Sequence, residues 1–128
     1  MTQKFEAIII GAGAAGLMCA ITAAQRGRSV LILEHNQKIG KKILISGGGR
    51  CNFTNLNTGP ENYISSNPNF CRSALARFPA EEFVSLINKH KIEFFEKKPG
   101  QLFSRDSSRQ IVKLLKDECR EAGAHIQT

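Results

Sequence analysis

Two glycine-rich strings stand out as places where this chain could do chemistry. The first is Gly11-Ala12-Gly13-Ala14-Ala15-Gly16, and the second is Ser46-Gly47-Gly48-Gly49-Arg50-Cys51-Asn52. Glycines in series weaken helices and strands, so their usual purpose is to let backbone approach something closely. Between Glu34 and Glu61 there is no acidic side chain, while Lys38, Lys41, Lys42 and Arg50 all fall there. A positive stretch around backbone that can approach a ligand points to an anion.

The elements around the first string sharpen that reading. FEAIII, Phe5 to Ile10, is a short β-branched run of the kind found in buried parallel strands. GAGAAG follows at once, LMCAITAAQR reads as a helix ended by Gly27, and SVLIL, Ser29 to Leu33, reads as a second buried strand. The GxGxxG spacing is weak evidence alone but strong between a strand and a helix with an acid at the end of the next strand. Gly11 allows the tight turn, Gly13 the approach of a diphosphate, and Gly16 close packing of helix on strand. The N–H groups around Ala14 and Ala15 open the helix and suit a phosphate. Glu34 follows Gly16 with 17 residues between, where a carboxylate can accept hydrogen bonds from a ribose 2′- or 3′-hydroxyl and would repel a 2′-phosphate. NAD and FAD therefore remain, and NADP is disfavoured.

The second string separates these two. A βαβ unit for NAD needs nothing like SGGGRCN, whereas FAD is longer and its flavin half must be held by backbone beyond the first unit. Ser46 to Gly49 would supply that backbone, with Arg50 and Asn52 beside it. Lys41 and Lys42 either complement the diphosphate or are ordinary solvated lysines. His35, His90 and His125 share no spacing and are read as surface or packing residues, though His35, next to Glu34, is counted with the cofactor-binding candidates. No catalytic residue and no metal ligand set is assigned.

Composition bounds the rest. The chain has 128 residues, 18 Lys+Arg against 11 Asp+Glu, and a formal net charge of +7. That size fits one domain. The charge alone permits nucleic acid, but no RNP, zinc or helix-turn-helix signature accompanies it, and no nucleic-acid partner is expected. Cys19, Cys51, Cys71 and Cys119 form no CxxC pair and no dense framework, which fits reduced thiols and a cytoplasmic location. Cys51 either lines the flavin pocket or is a small buried residue. Ala7 to Ala24 is uncharged, but its glycines argue against a signal peptide or a membrane span.

Beyond the second string, residues 52–69 read as a long polar loop. Pro68 opens a short helix to Phe78, and Pro79 another to about Lys91. IEFFE, KKPG and QLFS read as a β-hairpin. Asp106 or Ser107 caps a helix whose stripe is Ile111, Val112, Leu115 and Cys119, Gly123 ends it, and Ala124 to Gln127 starts a third parallel strand.

GAGAAGLMCA, ILE at the strand end, GKKILISGGGRCNFTN, NPNFCRSALARF, the GQLFS hairpin and the helix to GAHI together resemble the aminoacetone-oxidase/BaiN-like flavoprotein family. The resemblance covers nearly the whole chain. It implies an α/β Rossmann-type FAD-binding domain and an FAD-dependent oxidoreductase activity on an unidentified small molecule, with NAD(P)H or oxygen left open as the redox partner. It also places Gly11, Gly13, Ala14, Ala15, Gly16, Glu34, Lys42, Ser46, Gly47, Gly48, Gly49, Arg50, Cys51 and Asn52 where that family binds FAD. One departure is LFSRDSS, where the family often has a proline after the phenylalanine. Family members are also much longer. Residues 1–128 are thus expected to form the N-terminal part of the domain, without the inserted substrate domain. Its parts are a βαβ unit over 5–34, the glycine-rich flavin loop over 40–55, a helical and hairpin segment over 68–104, and a helix with the third strand over 106–128.

Overall fold

A computed structural model describes residues 2–128. The first element, β1 (Ala7–Ile10), leads through the glycine turn into α1 (Ala14–Gln25) and back to β2 (Val30–Leu33). The last strand, β6 (His125–Gln127), completes a parallel sheet of order β1-β2-β6. In register, Ile9 faces Ile32 and Ile32 faces Ile126. Ala7, Ile9, Val30, Ile32 and Ile126 thus share one face, which α1 and α5 (Arg109–Ala122) cover.

The helices show why they pack there. On α1 the buried residues are Leu17, Ala20, Ile21 and Ala24, an i, i+3, i+4, i+7 stripe. On α5 they include Ile111, Leu114, Leu115 and Cys119. Gly123 takes the left-handed conformation (φ 90°) and ends α5, as expected of a glycine just past a helix. The opposite face of the sheet carries Ile8 and Ile10, the latter 80% exposed, with no helix over it among the described residues.

Between β2 and α5 the chain differs from the sequence reading at several points. GKKILIS is not all loop: Lys41–Ile45 form a short helix, α2. Nor do residues 52–69 form only a loop, because Asn52–Asn55 make a strand, β3. It pairs antiparallel with β5 (Gln101–Ser104), and β4 (Phe94–Glu96) flanks the other side of β5. The expected hairpin is therefore two strands of a three-stranded sheet. Pro68 does not open a helix: α3 spans Arg72–Arg77. The helix after Pro79 is α4 (Ala80–Lys89).

The cap of α5 also differs. Ser107 Oγ does accept the Arg109 N–H at 3.1 Å. The residue at the helix boundary, however, is buried Ser108, whose Oγ donates to the Leu44 carbonyl at 2.8 Å. Ser108 thus anchors the end of α2, while Ser107 serves the first turn of α5.

Candidate functional site

Gly11, Gly13 and Gly16 answer to three different constraints. Gly11 has φ +102°, a backbone state that disfavours side chains. A Cβ on Gly16 would run into the Gly11 carbonyl oxygen, so α1 sits against the turn only because residue 16 has no side chain. Gly13 is needed for neither reason: its φ is −88°, and a Cβ there would meet nothing within 4 Å. It is the N-terminal boundary residue of α1 and offers no side-chain cap, so the first N–H groups of the helix, around Ala14 and Ala15, face outward. Gly13, Ala14 and Ala15 are all exposed.

Glu34 ties this turn to the end of β2. Its Oε1 accepts the N–H of fully buried Ala12 at 2.9 Å, and Oε2 accepts the Asn36 N–H at 2.9 Å and the Asn36 amide at 3.0 Å. Those backbone donors, Asn36 before Ala12, hold the carboxyl below its ordinary range. The side chain is only 9% exposed. His35 Nδ1 lies 3.2 Å from Glu34 Oε2, and its side chain is 88% exposed. The structure thus reveals a loop-organising role for Glu34 that its position in the motif did not disclose.

Ala12 also links the two segments. Its carbonyl accepts the Gly40 N–H at 2.8 Å, and Gly40 opens α2. Lys41 and Lys42 follow in the first turn, both exposed, and Lys42 reaches the cavity described below while Lys41 does not. After α2 the chain makes a left-handed run: Gly47, Gly48 and Gly49 have φ of +56°, +63° and +86°, and Cys51 +53°. Backbone conformation is therefore one answer to why three glycines stand together. Gly47 has a second, since a Cβ there would press to 2.6 Å from the Asn52 nitrogen and 3.0 Å from the Phe103 ring. At Gly48 and Gly49 a Cβ would meet nothing within 4 Å.

The β4–β5 hairpin and α5 hold this run in place. The Arg50 carbonyl accepts the Ser104 N–H at 3.0 Å, and the Gly49 carbonyl accepts the Ser108 N–H at 2.8 Å. Arg50 is exposed and its guanidinium lies 5.9 Å from the centre of the Phe95 ring, which stacks on Phe103. Asn52 donates its amide to the Leu102 and Thr54 carbonyls at 2.9 and 3.1 Å, closing the irregularity between β3 and β5. Ser46 Oγ donates to the Ile43 carbonyl at 2.7 Å. Cys51 is buried, and that burial pushes its thiol pKa up. None of these supports was evident from the glycine string itself.

A cavity of about 590 Å³ begins at Ala14 and continues past Lys42, Ser46, Cys51 and Asn52 to Phe53 and Phe83. Its size and mainly apolar lining with a few polar groups are those of a small-molecule or cofactor site. Cys51 is buried and also lines this cavity. Among the described residues there is no metal-binding cluster of His, Cys, Asp or Glu, and no helix is long and apolar enough to cross a membrane. Lys38, in contrast, does not join Lys42 on this cavity but faces a different groove.

A parallel βαβ sheet entered through a glycine turn, with an acid on the second strand, defines a Rossmann-type α/β dinucleotide-binding fold. The family profile described as HI0933-like protein Rossmann domain matches residues 5–128, and the chain belongs to that family, which is the one its sequence resembles. The chain is 57% identical over 119 residues to a ribosomal RNA dihydrouridine synthase of Escherichia coli, covering 93% of this chain and 30% of that protein. It is 36% identical over 123 residues to a 3-dehydro-bile acid delta(4,6)-reductase of Clostridium scindens, covering 94% of this chain and again 30% of the relative. A 3-ketosteroid-delta4-(5alpha)-dehydrogenase from Rhodococcus jostii RHA1 shares the fold at a TM-score of 0.66 and 15% identity, over 99% of this chain and 39% of that one. The chain thus spans about 30% of the length of both curated relatives.

Proposed function

We propose that residues 1–128 form the FAD-binding part of a flavin-dependent reductase whose substrate is a uridine of ribosomal RNA. The observation that carries the cofactor assignment is Gly13, whose φ is an ordinary −88° and where a Cβ would meet nothing within 4 Å, so neither packing nor backbone conformation calls for a glycine there. A diphosphate approaching the first N–H groups of α1 does. Gly48 and Gly49 leave similar open space, but their positive φ is itself a reason for glycine.

In this reading the diphosphate meets the N–H groups of Ala14 and Ala15 past Gly13, with Gly11 and Gly16 shaping the turn. A carboxylate has about four lone-pair sites, and those that Glu34 does not spend on Ala12 and Asn36 take the adenosine ribose. Ser46, Gly47, Gly48, Gly49, Cys51 and Asn52 form the backbone wall for the flavin half, and Lys41, Lys42 and Arg50 balance the phosphate charge. His35 pairs with Glu34 and has an indirect part. An NAD-linked dehydrogenase leaves the second segment without a use. Bound FAD supplies reduction of a carbon–carbon double bond, with NAD(P)H as the proposed electron donor.

The substrate class follows from the relatives. Both activities, a dihydrouridine synthase and a delta(4,6)-reductase, saturate a double bond, and the higher identity is to the enzyme of ribosomal RNA. The proposal departs here from the expectation of no nucleic-acid partner, which rested on the lack of an RNA-binding signature. The substrate domain and the remaining strands lie outside residues 1–128, and no catalytic residue is assigned within them. The four cysteines are free thiols, which supports a cytoplasmic location.

A visible absorption spectrum of the purified chain, taken before and after incubation with FAD and desalting, tests the cofactor. Retained flavin absorbance supports the proposal. A folded chain that stays colourless, or that retains NAD in preference to FAD, overturns it.

A further inference from the structure

A second groove, of about 620 Å³, lies between the residues before α2, the outer face of α5 and the end of β6. Lys38, Arg109, Lys113 and Lys116 line it together with Ile39 and Val112, and no acidic side chain does. On α5, Arg109, Lys113, Lys116 and Arg120 recur at i, i+4, i+7 and i+11, so they form one exposed stripe. At 1.5 Å per residue that stripe is about 16 Å long.

Stability does not explain the stripe. Like charges three and four residues apart on a helix repel, and Arg109–Lys113, Lys113–Lys116 and Lys116–Arg120 are such neighbours. The nearby acids only partly compensate. Asp117 pairs with Lys113 at 2.6 Å and with Arg120 at 3.6 Å, while Glu118 and Glu121 are engaged by Lys89. Among the described residues Lys38, Arg109 and Lys116 have no ion-pair partner.

We propose that this groove docks the sugar–phosphate backbone of RNA, on the reading above that the substrate is ribosomal RNA. Phosphate contacts of this kind set position and orientation without reading sequence. The groove would hold the strand, leaving choice of the base to the reacting site.

The test is fluorescence anisotropy of a short labelled single-stranded RNA with the whole chain, titrated at several KCl concentrations. Two triple variants are compared: Lys38→Gln/Arg109→Gln/Lys116→Gln, and a control that removes equal charge elsewhere, Lys4→Gln/Arg26→Gln/Arg77→Gln. All six side chains are exposed, and a far-UV dichroism melt verifies that both variants fold. Each neutralised phosphate contributes about 0.7 to the log–log salt slope for a single strand, so the groove variant should lose about 2 from the slope and about tenfold or more in affinity at low salt. The control should stay near the wild type. No RNA binding by the wild type, equal losses in both variants, or equal competition by poly-glutamate would each overturn the groove. Flavin retention, measured on the same samples, separates the two proposals. A flavin-retaining chain whose RNA affinity ignores the groove variant defeats the groove alone, and a colourless chain with groove-dependent binding defeats the cofactor reading alone.

Discussion

Gly13 and Gly16 lie three residues apart in one motif, yet the structure assigns them opposite consequences on substitution. At Gly16 a new Cβ lands on the Gly11 carbonyl oxygen, and backbone cannot step aside cheaply. Gly16→Ala must push α1 off the β1 turn, an overpacking of about 2 kcal/mol. For a domain of this size that lowers the melting temperature by about 8 °C. At Gly13 the φ of −88° is ordinary and the space is open. Lost chain entropy in the unfolded state favours the variant by about 0.5 kcal/mol, and a poorer helix start opposes it by a similar amount. Gly13→Val should therefore melt within about 2 °C of the wild type. Its branched side chain nevertheless fills the approach to the Ala14 and Ala15 N–H groups. Losing two charge-assisted hydrogen bonds of about 1.5 kcal/mol each weakens FAD about a hundredfold. Thermal melts followed by circular dichroism without cofactor, and flavin fluorescence titrations with it, measure both quantities. The reasoning fails if Gly13→Val unfolds the chain as Gly16→Ala does, or if it folds normally and binds FAD with unchanged affinity.

Other consequences can be checked with single variants. Gly48→Val combines two effects, because at φ +63° a side chain costs about 1–2 kcal/mol of fold stability as well as occupying open space. Gly48→Asn, which tolerates that conformation, should keep the fold and lose FAD affinity, and unchanged affinity in a titration would clear Gly48 of any role in the site. Glu118 is 4% exposed and holds Lys89 and His90 at 2.8 Å each. Burial pushes its carboxyl up, but the bonds from Lys89 and His90 outweigh this and leave it below its ordinary value of 4.5. A depressed carboxyl stabilises the fold above that value and loses its contribution as pH falls beneath it. Glu118→Gln should flatten this acid limb in melts across pH, and Glu118→Ala should cost about 2 kcal/mol at neutral pH. Burial raises the Cys51 thiol, and burial with Glu118 nearby raises Cys119 to about 11. Iodoacetamide should therefore modify exposed Cys19 well before either, as read by peptide mass spectrometry.

The parts of the fold legible in the sequence are those held by local signals. FEAIII, the GxGxxG turn and SVLIL lie in one continuous stretch, and β1, α1 and β2 appear where these patterns put them. Gly123 marked the end of α5 for the same reason. What was hidden depends on pairing across long separations. NFTN has little apolar periodicity, and it becomes β3 because β5, nearly fifty residues on, offers an edge to bond. KKILI is too short to show a helical period, and α2 is anchored by Ala12 at one end and Ser108 at the other. The candidate site divides the same way. Its glycines were visible as a string, but the left-handed run from Gly47 to Gly49 and its support by Phe103 and Ser108 required the three-dimensional arrangement. Lys38 shows the converse error, for proximity in sequence to Lys42 did not place it on the cavity that Lys42 reaches.

The central claim is that the two glycine segments form one cradle for a single FAD. An amide nitrogen–proton correlation spectrum of the isotope-labelled chain, titrated with FAD, addresses it directly. The account predicts that the largest shifts fall together on Gly13 to Gly16 and on Ser46 to Asn52, with one shared dissociation constant. Shifts confined to the first segment, or titrating in two separate phases, would contradict it.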